Sequence, residues 1–228
     1  MQVYPETIIF DLDGTLIDSV PAIRAALNSV FINEGVAELS LGQVKELVGF
    51  GAKWMVGEIV KINNLDISPE RLEQIMQLYF TEYLRVSSEF TSVYDGVYDV
   101  LENLEGKGLK MAICTNKPGP TTMLVLESLG LDQFFQAVLT EDDVVHKKPD
   151  PRHVFDTIDA LKGHVDRSVF VGDSETDMEA AGRAGVKSVF VTYGYCHIKH
   201  SEITASQSID SFRELPTAIK RISELNYL

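Results

Sequence analysis

Two aspartates, Asp11 and Asp13, follow directly on the apolar run Ile8-Ile9-Phe10. A short run of this kind, rich in β-branched residues, reads as a buried parallel strand. Carboxylates at its carboxyl end are not packing groups, because burying unpaired charge is costly. In an extended chain, positions i and i+2 point the same way, so Asp11 and Asp13 share a face while Leu12 turns inward. Gly14 then lets the backbone leave the strand through dihedrals closed to other residues. A carboxylate can act as a nucleophile, and carboxylate oxygens are the ligands Mg²⁺ prefers. Asp-x-Asp by itself is equally compatible with a plain acidic turn at a strand end.

The rest of the chain separates these readings. The string Phe10-Asp11-Leu12-Asp13-Gly14-Thr15-Leu16-Ile17-Asp18-Ser19 resembles the signature of the haloacid dehalogenase superfamily, in its phosphatase branch. Three further stations mark that family, each after a strand, and all three occur here in order. Leu109–Cys114 is strand-like and ends in Thr115-Asn116. Lys148-Pro149-Asp150-Pro151 resembles the third station. Val169-Phe170-Val171 leads into Gly172-Asp173-Ser174-Glu175-Thr176-Asp177, which resembles the fourth.

The resemblance implies roles for each residue. Asp11 would attack phosphorus to give an aspartyl phosphate, and Asp13 would protonate the leaving alkoxide and then activate water. The Asp11 carboxylate, the Asp13 backbone carbonyl and Asp173 would hold Mg²⁺, with Asp177 orienting a metal-bound water or Lys148. Thr115 and Asn116 would donate to the phosphoryl oxygens, and Lys148 would neutralise charge between Asp11 and the phosphate. Members that act as dehalogenases lack the second aspartate and ATPases usually carry threonine there, so Asp13 is the phosphatase choice.

Composition is compatible with this. A chain of 228 residues with 45% hydrophobic content can build a substantial core. A net charge of −14 argues against nucleic acid or an anionic membrane as partner. It also demands locally concentrated positive charge wherever a phosphate binds, which a divalent cation and Lys148 would supply, with Lys117 and Lys147 nearby in sequence. No apolar stretch approaches the roughly 18 residues of a membrane span. The first ten residues do not read as a secretory signal. Cys114 and Cys196 have no metal-like spacing and read as structural thiols in a cytoplasmic protein. The five histidines show no pairing in the sequence and read as solvated or simply hydrogen-bonded, and Trp54 as a packing residue.

The elements that must position these residues follow from periodicity. After a strand at 7–10, apolar residues recur at helical spacing over 20–31, 41–47, 53–62 and 69–86. Ser68-Pro69-Glu70 is a helix start. From Tyr94 onward helices and strands alternate: helices at 97–105, 121–129, 151–161 and 176–184, strands at 109–114, 137–139, 169–171 and 188–192. Asp95 is a candidate cap for the first of these helices, and Gly185 a stop for the last. The expected fold is α/β: a doubly wound parallel Rossmann-like sheet with an inserted α-helical bundle. Residues 1–18 plus 91–228 would form the catalytic core. Residues 19–90 would form the bundle, which the resemblance implies is a cap that selects the substrate.

Within the superfamily, Val48-Gly49-Phe50-Gly51-Ala52, Thr115-Asn116-Lys117-Pro118 and Thr192-Tyr193-Gly194-Tyr195 resemble the branch acting on phosphoglycolate. That makes Gly51 and Lys53 candidate substrate contacts. The implied activity is Mg²⁺-dependent hydrolysis of a small phosphorylated metabolite, 2-phosphoglycolate first, by a monomer or homodimer. A broad sugar-phosphate or nucleotide phosphatase, a phosphosugar mutase, and a binding module that kept the fold without the chemistry are the alternatives.

Overall fold

The computed structural model describes residues 5–225. The chain begins with β1 (Thr7–Phe10), makes the short β2 (Ile17–Asp18), and runs through four helices: α1 (Val20–Phe31), α2 (Leu41–Lys45), α3 (Ala52–Ile62) and α4 (Pro69–Phe90). It returns at β3 (Ser92–Val93), which pairs antiparallel with β2 through Ile17↔Val93 and Asp18↔Ser92. The chain therefore leaves and re-enters the sheet region at adjacent points. Strands and helices then alternate: α5 (Val97–Gly106), β4 (Lys110–Cys114), α6 (Gly119–Ser128), β5 (Ala137–Leu139), α7 (Pro151–Ala160), β6 (Ser168–Gly172), α8 (Glu175–Ala184), β7 (Lys187–Val191), β8 (Gln207–Ile209) and α9 (Leu215–Leu225).

Six strands form one parallel sheet in the order β5-β4-β1-β6-β7-β8. The strand β1 lies inside it, paired with β4 through Ile8↔Met111 and with β6 through Ile8↔Val169. Covered on both faces, every residue of β1 is buried, which is why its sequence is apolar without alternation. The period of two is visible in where side chains go. Ile8, Phe10, Met111, Ile113, Val169 and Val171 join the large cluster that includes the side chains of α1, α4 and α5. Ile9, Cys114, Phe170 and Phe190 face the other way, onto α7 and α8. Successive strands are added first on the β4 side of β1 and then on its β6 side, so the winding reverses at β1. A ligand site is expected beyond the carboxyl ends of the strands at such a reversal.

Local sequence accounts for most boundaries. The Ser68 side chain accepts a hydrogen bond from the Arg71 amide and Pro69 opens α4, while α8 stops at Gly185 with φ of 71°. The expected cap at Asp95 is not formed. Gly96, with φ of 81°, precedes α5, and the Asp95 carboxylate instead meets the Arg213 guanidinium at 3.0 Å. The helix α4 runs one turn past the expected end at residue 86, and β2, β3, β8 and α9 were not expected. No helix among the described residues is long and apolar enough to cross a membrane. Both cysteines are free, and burial pushes the Cys114 thiol up to about 12.

Candidate active site

Four strand ends deliver the side chains. Asp11 follows β1, Thr115 follows β4, Asp173 follows β6, and Lys148 sits in the loop that leads into α7. Lys148 Nζ lies 2.7 Å from Asp11 Oδ1 and 2.7 Å from Asp177 Oδ1, with all three groups nearly excluded from solvent. Burial works against the charged form of Lys148, but the two carboxylates outweigh it and hold its pKa above the ordinary lysine value.

Asp177 combines two jobs. Its Oδ2 accepts hydrogen bonds from the backbone of Asp173 and Ser174 and from the Ser174 hydroxyl (2.6 Å), forming a reciprocal cap at the start of α8. Its Oδ1 is thereby aimed at Lys148. Asp173 is held just as firmly: Thr15 Oγ1 donates to one of its oxygens at 2.9 Å and the Tyr195 amide to the other at 2.6 Å. A Cβ on Gly14 or on Gly194 would collide with this carboxylate, so glycine at both positions is what lets it sit against the backbone.

Oxygens of Asp11, Asp173 and Asp177 lie within 4.8 Å of one another, all buried. Three carboxylates against the single ammonium of Lys148 leave two negative charges in a desolvated space. The imbalance shows in the acidities. Burial, only partly offset by Lys148, pushes Asp11 up to about 7, and burial with the charges of Asp177 and Asp11 raises Asp173 well above an ordinary aspartate. A divalent cation with a preference for oxygen ligands corrects both the charge and the repulsion, so these residues fit one.

Asp13 faces the same cavity but has a different partner. Both of its oxygens lie 3.1 Å from Lys117 Nζ, which also sits 4.5 Å from the centre of the Tyr83 ring on α4. Thr115 is buried; its hydroxyl accepts from the Lys117 amide and keeps its own proton to donate. Asn116 departs from expectation. Its side-chain nitrogen donates to the Gly49 carbonyl and to the Lys148 carbonyl, both at 3.0 Å, and its oxygen accepts from the Lys148 amide at 3.1 Å. With both donors committed, the amide group ties the 49–51 loop to the backbone of Lys148 and has no proton left for a phosphoryl oxygen.

Gly51 lines the cavity, with φ of 93°, at the start of α3. The side chain of Lys53 is exposed and does not line the cavity: it lies on the solvent side of α3, while Ala52 and Met55 on the same helix turn inward. The cavity encloses about 60 Å³ between the strand ends and the helices, with Ile23, Leu47, Val48, Met55, Tyr79 and Phe80 supplying an apolar wall.

Residues 8–191 match the family model described as haloacid dehalogenase-like hydrolase. The chain belongs to the haloacid dehalogenase-like hydrolase family. It is 33% identical over 211 residues to a phosphoglycolate phosphatase of Agrobacterium fabrum, covering 92% of this chain and 91% of that protein. It is 34% identical over 212 residues to a phosphoglycolate phosphatase of Caulobacter vibrioides, covering 93% and 90%. The crystal structure of a predicted phosphoglycolate phosphatase from Haemophilus somnus superposes with a TM-score of 0.88 at 26% identity, covering 93% of this chain and 96% of that one. Within the family this chain is an enzyme of the phosphatase kind.

Several working parts of the site carry no sequence signal. The pairing of Lys117 with Asp13 joins residues 104 positions apart. Tyr195 anchors Asp18 through its hydroxyl (2.7 Å) and Asp173 through its amide. His197, read as solvated or simply hydrogen-bonded, donates from Nδ1 to Glu175 Oε1 at 2.8 Å and stacks on Phe50, which in turn packs on Trp54. The glycines at 14 and 194 were the available clue for a close backbone approach; Lys117 was marked as nearby positive charge but not as the partner of Asp13, and nothing marked the pairing of His197.

Proposed function

We propose that this protein hydrolyses small phosphate monoesters through an aspartyl-phosphate intermediate on Asp11, with 2-phosphoglycolate as its substrate. The observation that carries the reading is the buried group of Asp11, Lys148, Asp173 and Asp177 at the reversal point of the sheet, with two negative charges in excess. The substrate rests on the activity of relatives at 33% and 34% identity across nine-tenths of the chain.

Phosphate monoesters hydrolyse extremely slowly in water, so the chemistry has to be divided and its charge stabilised. Asp11 Oδ1, held by Lys148, presents a carboxylate to phosphorus. Lys148 then offsets charge on the transferring group, a task suited to a compact ammonium. The Thr115 hydroxyl and the Asn116 backbone N–H donate to phosphoryl oxygens. Asp13 protonates the leaving oxygen and afterwards takes a proton from the attacking water, with Lys117 keeping its carboxylate turned into the cavity. Mg²⁺, when bound by Asp11, the Asp13 carbonyl and Asp173, with Asp177 behind them, supplies charge neutralisation at the reacting phosphoryl group.

Residues 19–90 act in this scheme as a cap on a core of residues 1–18 and 91–228, closing through the Asn116–Gly49 bond and excluding water. We place the enzyme in the cytoplasm, where its two unpaired cysteines would stay reduced. The test is phosphate release from a panel of phosphorylated metabolites, with Mg²⁺ and after its removal, ranked by kcat/KM. 2-Phosphoglycolate should head the ranking and release should stop without metal. A sugar phosphate or nucleotide at the head would replace the substrate, and metal-free turnover would remove the mechanism.

A further inference from the structure

Lys117 is a buried lysine that the hydrolytic scheme uses only to hold Asp13, and its surroundings suit a second task. Among the described residues that line the cavity, the ammonium groups are those of Lys148 and Lys117. Lys148 is committed to Asp11 and Asp177. Lys117 presents its ammonium between the Asp13 carboxylate, with both oxygens at 3.1 Å, and the face of the Tyr83 ring. The Tyr83 hydroxyl is buried and has no hydrogen-bond partner, although Lys117 and Thr91 are its polar neighbours. The Thr91 hydroxyl is likewise buried without a partner, so the two hydroxyls and the Lys117 ammonium form a polar group at this end of the cavity. The remaining wall here is apolar, contributed by Tyr79, Phe80 and Met55.

We propose that Lys117 and Tyr83 form a subsite for a second anionic group of the substrate, a carboxylate carried on the ester carbon. This rests on the phosphatase reading above and deepens it. Asp13 is the group that meets the leaving oxygen, and Lys117 lies one hydrogen bond behind Asp13. In a glycolyl ester the carboxylate is separated from the leaving oxygen by a single methylene. A substrate placed for proton transfer from Asp13 therefore brings its carboxylate within reach of the Lys117 ammonium, which has three donors, and of the Tyr83 hydroxyl. An ester without the second anion would leave these groups unmatched against an apolar wall, which is how a polar subsite rejects an analogue lacking its partner.

The experiment compares kcat/KM for 2-phosphoglycolate and for ethyl phosphate, in which a methyl replaces the carboxylate, in the wild type, Lys117→Met and Tyr83→Phe. The ratio of the two values is the readout, because any effect of Lys117→Met on Asp13 falls on both substrates. The wild type should favour phosphoglycolate by roughly a hundredfold or more. Lys117→Met should bring that ratio below about tenfold, and Tyr83→Phe should lower it by about three- to tenfold. Tyr83→Phe is nearly isosteric and decides the matter if Lys117→Met does not fold. A wild-type preference that both folded variants keep would overturn the subsite while leaving phosphoglycolate as substrate. A wild type that hydrolyses both esters equally well would sink the subsite and the phosphoglycolate assignment together, leaving a general phosphatase.

Discussion

Gly51→Val is the substitution that most directly tests whether the 49–51 loop closes over the reacting group. Gly51 has φ of 93°, and a Cβ there would meet Glu141 Oε2 at 2.7 Å, Lys147 Nζ at 3.1 Å and the Asn116 carbonyl at 3.5 Å. Glu141 and Lys147 are an ion pair at 2.7 Å from the loops after β5, so this face of the loop is docked onto the core. Two penalties follow, and they separate cleanly. The strained backbone, about 1–2 kcal/mol for a left-handed residue, is present whether the helices are closed or open and lowers overall stability. The collision with Glu141 and Lys147 exists only in the closed arrangement. Overpacking of this kind costs about 1–3 kcal/mol, less whatever the two flexible side chains recover by moving. Taking about 1.4 kcal/mol as the net penalty on closure, kcat/KM for phosphoglycolate falls about tenfold. An aryl ester such as p-nitrophenyl phosphate, with a good leaving group and a ring much larger than a glycolate, should react with the helices open and change much less. Parallel steady-state kinetics on both esters, with circular dichroism to establish folding, provide the comparison. Equal losses on the two substrates in folded protein would show that the segment is structural and that closure is not what selects the substrate.

Other perturbations probe the remaining parts. Asp11→Asn, nearly isosteric, should abolish phosphate release while the protein stays folded; residual turnover within tenfold of wild type, with contaminating phosphatase excluded, would remove Asp11 as nucleophile. Asp173→Asn should raise the Mg²⁺ concentration giving half activity, and Ca²⁺, with its looser coordination, should replace Mg²⁺ poorly; an unchanged metal requirement would mean that Asp173 is not a ligand. In metal-free protein, burial raises Asp11 to about 7 and Asp173 in the same direction, so the folded state binds more protons than the unfolded one above about pH 4. Stability from these two groups is therefore present at low pH and lost as pH rises toward 7. His153, pushed down to about 4 by burial, works the other way, so the decisive quantity is the slope of Tm against pH in wild type minus that in Asp11→Asn. That difference should be negative between about pH 4.5 and 7 and should vanish with saturating Mg²⁺; a zero difference without metal would refute the burial argument. Asn116→Ala removes three hydrogen bonds of 3.0–3.1 Å and should cost about 2–3 kcal/mol in urea unfolding and lower kcat, since Lys148 and Gly49 both lose their tether; stability within 0.5 kcal/mol of wild type would show that these bonds do not hold the loops.

What was legible in the sequence is what local physics determines. The run at residues 7–10 is buried on both faces, so it is apolar throughout and the strand is plain; Ser68-Pro69 and Gly185 mark helix ends because each satisfies a terminal backbone group by itself. Asp11 and Asp173 were legible because each follows its strand directly, and Lys148 because it opens the Lys-Pro-Asp-Pro string ahead of α7. The strand β8 has only three residues and lies at the sheet edge, and β2 and β3 have two each; such pieces carry too few side chains for a periodic pattern to emerge. Asp95 looked like a cap because it precedes a helix, and only the fold reveals that Arg213, far along the chain, competes for its carboxylate.

Asn116 shows the limit most clearly, because its residue type was read correctly as a hydrogen-bonding group and its partners were not. An amide beside a strand end could donate to a ligand or to protein carbonyls. The choice was made by Gly49, from an insertion 67 residues earlier, and by the backbone of Lys148, 32 residues later. Lys117 is the converse case. The sequence places it near the phosphate site only as a source of positive charge, yet here it is buried against Asp13 and Tyr83, because the helices between β2 and β3 cover it. Both residues follow Thr115 in one loop, and each acquires one of its partners, Gly49 or Tyr83, from the segment between β2 and β3. Residues that only position the chemistry in the bare sheet thus become, once that segment is in place, the residues that connect the reacting group to whatever the helices enclose.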